Sequence, residues 1–600
     1  NKNKLYDETD RFTGNFNVKV DLAKWWWLAY RMGIDSYTTE NHTRIAPEGV
    51  VKLEWQKGMM SDNTLRFKYI STNLMTNFNQ KFGDFDLNLM LGTSTDNTHT
   101  NTNYQMAWNF QVPNFYATDN ATADNRNFKS FLSDKRLVGV FGEFRADWRS
   151  AVFLTVTGRN DWTSTLPIES RSYFYPSFNG SVVFTEFLPR LSWLNFGKLR
   201  ISGARVGKDT GAYETNTTLW PVSTYIGGKV GVGNSWTRGN PYLKPEMTES
   251  TELGLELRFL DNRLKMDVAY YTNNSYNQIL SPRGPQSTGY IFTSINAGNV
   301  YNKGMELAIN ATPIQNKDWS WETSLNIAGN RGTMDGLLPG MDIMYVTDVQ
   351  YGNAKAASFS GGDFMAISGS QYLRTSDGKI ILDKNGMPTY DKSTAHQVGN
   401  RESKLNGGWN NTISYKNFTF NMLWEFRVGG DVFNGTKYAM TLTGTSKFSG
   451  DVRDHLVIEG VQNVGTDKEP IYESRKYEWF ADQAYDFNGV RMSGANIIKS
   501  YYTDYYNYET ANYITNVNSL RLRNVSLSYD VPDTFLKKLK YFKRAVLSAS
   551  ANNLLLFTNY EGDPEVAAAG SGRGGSSSVG FDYCGVPATQ SVSFGMNISF

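Results

Sequence analysis

Phe418-Thr419-Phe420-Asn421-Met422-Leu423-Trp424-Glu425-Phe426 is the stretch on which the fold turns. Phe418, Phe420, Met422, Trp424 and Phe426 recur at every second position, with Thr419, Asn421, Leu423 and Glu425 between them. Successive side chains of a β-strand point to opposite faces, so a strand here has one face that is large, apolar and uncharged and one that carries the polar groups. A tilted strand needs only about 9–11 residues to cross a bilayer, and this zigzag has that length.

The pattern repeats along the chain. Leu253, Leu255, Leu257 and Phe259 are followed, after Leu260-Asp261-Asn262-Arg263, by Leu264, Met266, Val268 and Tyr270, which predicts a hairpin. A second hairpin joins Met305, Leu307 and Ile309 to Trp319, Trp321, Thr323, Leu325 and Ile327 across the polar segment from Ile314 to Asp318. Phe85, Leu87, Leu89 and Leu91 alternate in the same way, as do Val592, Phe594, Met596, Ile598 and Phe600 at the end of the sequence. Leu520 and Leu522 are out of phase with Val525, Leu527 and Tyr529, and a bulge near Arg523-Asn524 would restore a common face.

Connections alternate too. Short turns at Gln80–Gly83, Phe259–Arg263 and Tyr415–Asn417 interleave with long polar stretches, roughly 36–63, 93–135, 206–247, 277–299, 331–403, 429–518 and 562–590. Short turns on one side and long loops on the other are the arrangement of an outer-membrane barrel, with periplasmic turns and extracellular loops. The expected fold is therefore all-β, a transmembrane antiparallel β-barrel with long extracellular loops.

Composition agrees with a wall that needs apolar side chains on one face only. Aromatic residues are 14% of the 600 residues and hydrophobic residues only 40%, with a mean hydropathy of -0.46. No run of 18 apolar residues exists; the densest, Trp25-Trp26-Trp27-Leu28-Ala29-Tyr30, is far too short for a spanning helix. Sixty basic against 58 acidic residues, with no long basic block, do not indicate a nucleic-acid partner. One cysteine, Cys584, excludes an intrachain disulfide framework, and the scattered His42, His99, His396 and His455 form no zinc-ligand pattern. The residues point to no catalytic set, cofactor or metal, and the expectation is a protein that is not an enzyme.

Segmentation gives about 17 strands, whereas single-chain bacterial barrels have an even number. Residues 1–600 are accordingly expected to be the C-terminal part of a barrel whose first strands, and whatever fills its lumen, lie upstream.

Several segments resemble a known family. Asn240-Pro241-Tyr242-Leu243-Lys244-Pro245-Glu246, leading into Glu252-Leu253-Gly254-Leu255-Glu256, looks like the NPxLKPE stretch before a barrel strand in TonB-dependent receptors. Arg159-Asn160-Asp161-Trp162-Thr163-Ser164, Tyr173-Phe174-Tyr175-Pro176-Ser177 and Asn302-Lys303-Gly304-Met305-Glu306-Leu307 are similar to family segments at comparable places. Gly429-Gly430-Asp431-Val432-Phe433-Asn434-Gly435-Thr436 and Ser519-Leu520-Arg521-Leu522-Arg523-Asn524-Val525 resemble the SusC-like (RagA-like) transporters of Bacteroidetes in particular. That resemblance implies a complete protein with a signal peptide, an N-terminal regulatory domain, a TonB box, a plug and a 22-stranded barrel in the Gram-negative outer membrane. It also implies a SusD-like lipoprotein lid, often in a dimer of such pairs. No residue of this chain can be assigned to the plug or to TonB contact.

Individual motifs carry narrower expectations. Trp25, Trp26 and Trp27 beside Lys24 suit an aromatic girdle against the lipid interface, and Phe600 resembles the terminal aromatic by which barrels are recognised for insertion. Asp383-Lys384-Asn385-Gly386 has its glycine too early for a calcium loop and reads as a tight turn. Gly570-Ser571-Gly572-Arg573-Gly574-Gly575 lacks the strand and helix of a dinucleotide site and reads as a loop. Tyr472, Tyr477, Trp479, Tyr501, Tyr502, Asp504 and Tyr505 crowd one long loop, together with Tyr506 and Tyr508, and are candidates for substrate contact, since aromatic faces with nearby polar groups stack on sugars or pack against peptides; the competing reading is that they pack the loop. The functional expectation is TonB-dependent import of oligosaccharides, or second of peptides. The rival readings are a passive porin and a β-rich glycan-binding adhesin.

Overall fold

The computed structural model of the chain describes residues 3–48, 52–226, 229–346, 352–466, 468–539, 542–566 and 579–599. Its main sheet holds nineteen strands. Two of them, Gly362–Asp363 and Phe581–Asp582, are two-residue additions, which leaves seventeen long strands among the described residues. In chain order they are β1 Lys4–Ala23, β2 Trp26–Ile45, β3 Met59–Phe82, β4 Phe85–Trp108, β5 Arg126–Trp148, β6 Val152–Thr163, β7 Ser172–Val183, β8 Leu194–Lys208, β9 Glu246–Phe259, β10 Leu264–Tyr276, β11 Asn299–Gln315, β12 Trp319–Asp335, β13 Leu405–Tyr415, β14 Phe418–Asn434, β15 Ile514–Asp530, β16 Arg544–Thr558 and β17 Ser591–Ser599.

The chain divides into two compact units. The first comprises Asn1–Val183, Arg200–Thr251 and Ser275–Ala297, and the second Phe184–Leu199, Glu252–Asn274 and Gly298–Phe600. In the first, β1 to β7 pair antiparallel in sequence order. In the second, β11 pairs β12, which pairs β13, and the antiparallel ladder continues through β14, β15, β16 and β17.

The turns show why these registers hold. Gly83 (φ 58°) sits between β3 and β4, Lys416 (φ 51°) between β13 and β14, and Leu260, Asp261 and Asn262 between β9 and β10 are all left-handed. Positive φ at the centre of a tight turn matches the right-handed twist of the flanking strands. The hairpin predicted for Met305–Ile309 and Trp319–Ile327 forms with Leu307 opposite Ile327 and Ile309 opposite Leu325.

The predicted bulge is present. Leu423 opposes Asn524 and Trp424 opposes Leu522, so Arg523 is the inserted residue. One extra residue reverses the phase of a period-two pattern, and Leu520, Leu522, Val525, Leu527 and Tyr529 all come to oppose the apolar set of β14.

The long-loop expectation needs correction. β2 runs to Ile45 and β3 starts at Met59, so the stretch expected to be loop over 36–63 is mostly ladder; β4 runs to Trp108 and β5 starts at Arg126. Backbone pairing requires no apolar side chain, and beyond the bilayer both faces are wet, so the hydrophobic alternation ends while the strand does not. At 24 residues, β3 and β4 are more than twice the length needed to cross.

Candidate functional site

One face of each ladder is a continuous apolar surface. In the first unit Val20, Leu28, Thr76, Leu91, Gly142, Gly158 and Pro176 lie side by side, and Leu89 stands between Phe78 and Phe144. Val20, Leu28, Leu89, Leu91 and Phe144 are exposed. Large apolar groups left open in rows mark a surface meant for a non-aqueous neighbour.

Aromatic pairs gather at the short-turn end of the same face. Phe85 meets Trp148 (6.5 Å), Trp193 meets Phe259 (6.0 Å), Trp319 meets Tyr415 (4.3 Å) and Phe418 meets Tyr529 (4.6 Å). Trp25 and Trp26 join these aromatic pairs through Phe78, at 6.1 and 5.9 Å, and the Trp26 indole N–H donates to Thr76 Oγ1 (2.8 Å). Trp27 does not. Adjacent strand residues point to opposite faces, and Trp27 lies on the polar one with the Lys19 ammonium 5.3 Å from its ring. Phe600 and Gly570 to Gly575 lie outside the described residues.

The opposite face is polar. In the second unit Ala308, Asn326, Gly408, Glu425 and Arg521 form one cross-strand row. A cavity of about 690 Å³ opens over it, lined by Asp267, Glu306, Asn326, Asn406, Glu425, Arg427, Arg523 and Glu565 among others. That volume falls in the range of ligand sites, and the lining mixes apolar side chains, among them Leu307, Ile327, Leu423 and Phe426, with an unusual number of charged ones. Arg523, the bulge residue, joins Glu425 to Glu565, donating to the latter at 2.6 Å. Arg521 is buried against Asp563. Burial alone would raise the Asp563 carboxyl, but the backbone N–H groups of Glu565 and Ala588 and the Arg521 guanidinium outweigh it and hold the group below the ordinary carboxylate range. These contacts fold the segment after β16 back onto the polar face.

The aromatic loop residues resolve differently from one another. Ile381–Leu382, from the loop after β12, lies parallel to Val461–Gln462, and His455–Asn463 pairs with Tyr472–Phe480, both in the loop after β14. Trp479, 4% exposed, and Tyr502, 9% exposed, lie in the core this sheet covers, with Leu382, Met387, Leu456 and Ile497. Tyr477, Tyr501 and Tyr505 pack around it. Trp479 and Tyr502 therefore stabilise the loop and present almost no surface to a ligand, which corrects the expectation for these two. Burial pushes the Tyr502 hydroxyl up, and Tyr506 up to about 12, so both stay protonated. Tyr472 is exposed, and Asp504, also exposed, accepts from Ser500 Oγ at 2.7 Å.

Asp383 to Gly386 is a tight turn, as predicted: Asp383 N–H donates to Met387 O (2.7 Å), and Asp383 Oδ1 accepts from the backbone of Asn385 and Met387. The Asn240–Glu246 stretch is also structural. Leu243 is fully buried with Leu166 and Tyr173, Asn296 exchanges hydrogen bonds with the Lys244 backbone (2.8 Å each), and Glu246 accepts from Ile279 N–H (2.8 Å).

Residues 1–554 match the family described as TonB dependent receptor-like, beta-barrel. The chain belongs to this family. TonB-dependent receptor P3 of Formosa agariphila is 25% identical over 580 residues, 90% of this chain and 54% of that protein. TonB-dependent receptor SusC of Bacteroides thetaiotaomicron is 24% identical over 526 residues, 84% and 48% respectively. The structure of the RagAB peptide transporter superposes with a TM-score of 0.76 at 18% identity, covering all of this chain and 63% of that one. The SusC-like resemblance read from the sequence is thereby borne out, and the chain spans about half the length of the curated relatives it matches. In this TonB-dependent receptor, an outer-membrane protein, the exposed apolar rows are the surface turned to lipid and the aromatic pairs mark its short-turn border. In the first unit the long strand extensions, and in the second the folded loops, lie at the strand ends away from that unit's short turns.

Proposed function

We propose that the chain forms the wall and extracellular face of an active importer that carries oligosaccharides, or second peptides, across the outer membrane. Energy reaches it through TonB by way of the rest of the protein, and a SusD-like surface lipoprotein closes the extracellular side, in a dimer of such pairs. The reading is carried by the coexistence of a lipid-facing apolar surface with a polar opposite face whose charged cavity is ordered by Arg523, Glu425 and Glu565. A wall that only anchored an adhesin would need no ordered polar interior. The girdle role of Trp25 and Trp26 belongs to this reading, as does substrate contact through the exposed Tyr472 and Asp504.

The test is uptake by intact cells of a size-fractionated mixture of neutral glucan, xylan and mannan oligosaccharides, and of a mixed hexapeptide pool. Uptake that depends on the gene and stops when TonB is deleted supports active import. Uptake that persists without TonB identifies a passive porin, and unchanged uptake without the gene rejects transport.

A further inference from the structure

In the first unit, the strands that continue past the membrane carry an ordered surface on the face opposite the lipid rows. Parity is continuous along β3, β4 and β5, whose registers run without a shift. Leu89 and Leu91 belong to the lipid face, so Asp96, Thr98, Thr100 and Thr102 belong to the other. On β3 their neighbours are Tyr69 opposite Thr98, Phe67 opposite Thr100 and Leu65 opposite Thr102. On β5 they are Lys135, Ser133 and Phe131. Small hydroxyl side chains thus line a floor flanked by Tyr69, Phe67 and Leu65 on one side and by Lys135 and Phe131, with the small Ser133 between them, on the other. The walls stand two strand spacings apart, about 10 Å, and the floor from Thr98 to Thr102 is about 14 Å long.

The β3 wall is held in place. Phe67 stacks on Tyr37 (4.8 Å, 22°), and the Arg11 guanidinium lies 5.8 Å from the Tyr37 ring. Arg11 is itself fixed by a bidentate pair with Asp35, at 2.9 and 2.7 Å. Tyr69 donates to Asp96 Oδ1 at 2.6 Å, and Lys135 is tied to Asp209 at 2.6 Å. Arg11 with Asp35 and Lys135 with Asp209 are ion pairs, and Asp96 accepts from the neutral Tyr69 hydroxyl, so the trough offers ring faces, hydroxyls and one carboxylate. Phe131, 58% exposed, completes the second wall.

We infer that this trough is a subsite for a neutral oligosaccharide, held by ring stacking on Phe67 and Phe131 and by hydrogen bonds to Thr98, Thr100, Thr102 and Asp96. Sugar rings have apolar faces bordered by hydroxyls, which matches rings bordering a hydroxyl floor. A peptide fits less well over this floor: β3 and β4 are paired along both edges here, so an extended peptide lying on them could not join as a strand and its backbone groups would lose water without replacement; β5 meets β6 only from Leu137 onward. The inference rests on the import reading and adds to it the ligand class and the residues.

The test uses the intact protein, purified in detergent and titrated calorimetrically with the same neutral glycan fraction, and separately with the hexapeptide pool. Glycan binding that falls about tenfold in Phe67→Ala, is lost in Thr100→Trp, and is unchanged in Phe128→Ala on the opposite face supports the subsite. Glycan binding equal in wild type, Phe67→Ala and Thr100→Trp overturns it, as does binding of peptides but not glycans, or of neither. Circular dichroism and detergent-resistant migration confirm that each variant is folded. The uptake assay separates the two claims: no gene-dependent uptake of either glycans or peptides sinks the import reading, whereas gene-dependent glycan uptake undiminished in both variants sinks the trough alone.

Discussion

Leu89→Arg on β4 tests the assignment of faces directly. Leu89 is 39% exposed and lies between Phe78 and Phe144 in the apolar surface. It is four residues along the strand from Phe85; at about 3.4 Å per residue and a tilt near 40°, that places it roughly 10 Å inside a belt about 25 Å tall. An arginine near the bilayer midplane costs about 2–4 kcal/mol. At 1.4 kcal/mol per factor of ten, the folded population falls roughly 30- to 700-fold relative to unfolded. Met90→Arg is the control. Met90 points to the other face, beside Asn77 and Glu143, where a new cation meets a carboxylate and the change stays within about 0.5 kcal/mol. Both are measured by urea unfolding in phosphocholine vesicles, followed by tryptophan fluorescence. Equal urea midpoints, or a larger loss for Met90→Arg, would refute the assignment.

Other substitutions probe the loops. Asp563→Asn leaves the buried Arg521 with only the more distant Glu565 carboxylate at 3.3 Å, a loss of up to about 3 kcal/mol expressed as local opening, and faster hydrogen exchange over 559–566 reports it. Because the Asp563 carboxyl is held below its ordinary value, its stabilisation is complete above the unfolded value near 4 and fades as pH falls through the lowered one; protection in the wild type, taken relative to the intrinsic exchange rate at each pH, should be flat from pH 7 to 5 and fall only in stronger acid. Trp479→Ala empties the loop core, and about 3–5 kcal/mol is lost there, seen as increased exchange across 455–506 with the membrane strands unaffected. Tyr472→Ala, at an exposed site, leaves exchange unchanged, and equal effects of the two would contradict the core assignment. At Gly386 (φ +83°) a Cβ would lie 2.4 Å from the Tyr477 ring, so Gly386→Val combines backbone strain with a clash and destabilises the loop by at least the roughly 1–3 kcal/mol of such strain, read as a lower thermal midpoint.

What the sequence alone determined was the two-faced strand and its local consequences. Alternation in Phe418–Phe426 placed β14, the phase break at Leu522–Val525 located the Arg523 bulge, and the short polar turns located the hairpins; seventeen strands follow from counting those signals. Each is a relation between residues close in sequence, imposed by the two-residue period of the backbone against lipid. Even the correction at Trp27 was latent in that period, because neighbours on a strand cannot share a face. The tertiary structure decided where pairing continued without lipid to enforce the alternation, as in the far halves of β2 to β5. It also decided which loop aromatics were buried: Trp479 and Tyr472 are alike in composition and neighbourhood, but Trp479 meets Leu382 and Met387, nearly a hundred residues earlier in the chain. Burial is set by such distant partners, and no local pattern encodes them; the trough between Phe67 and Phe131 likewise exists only because three strands from separate segments lie in register.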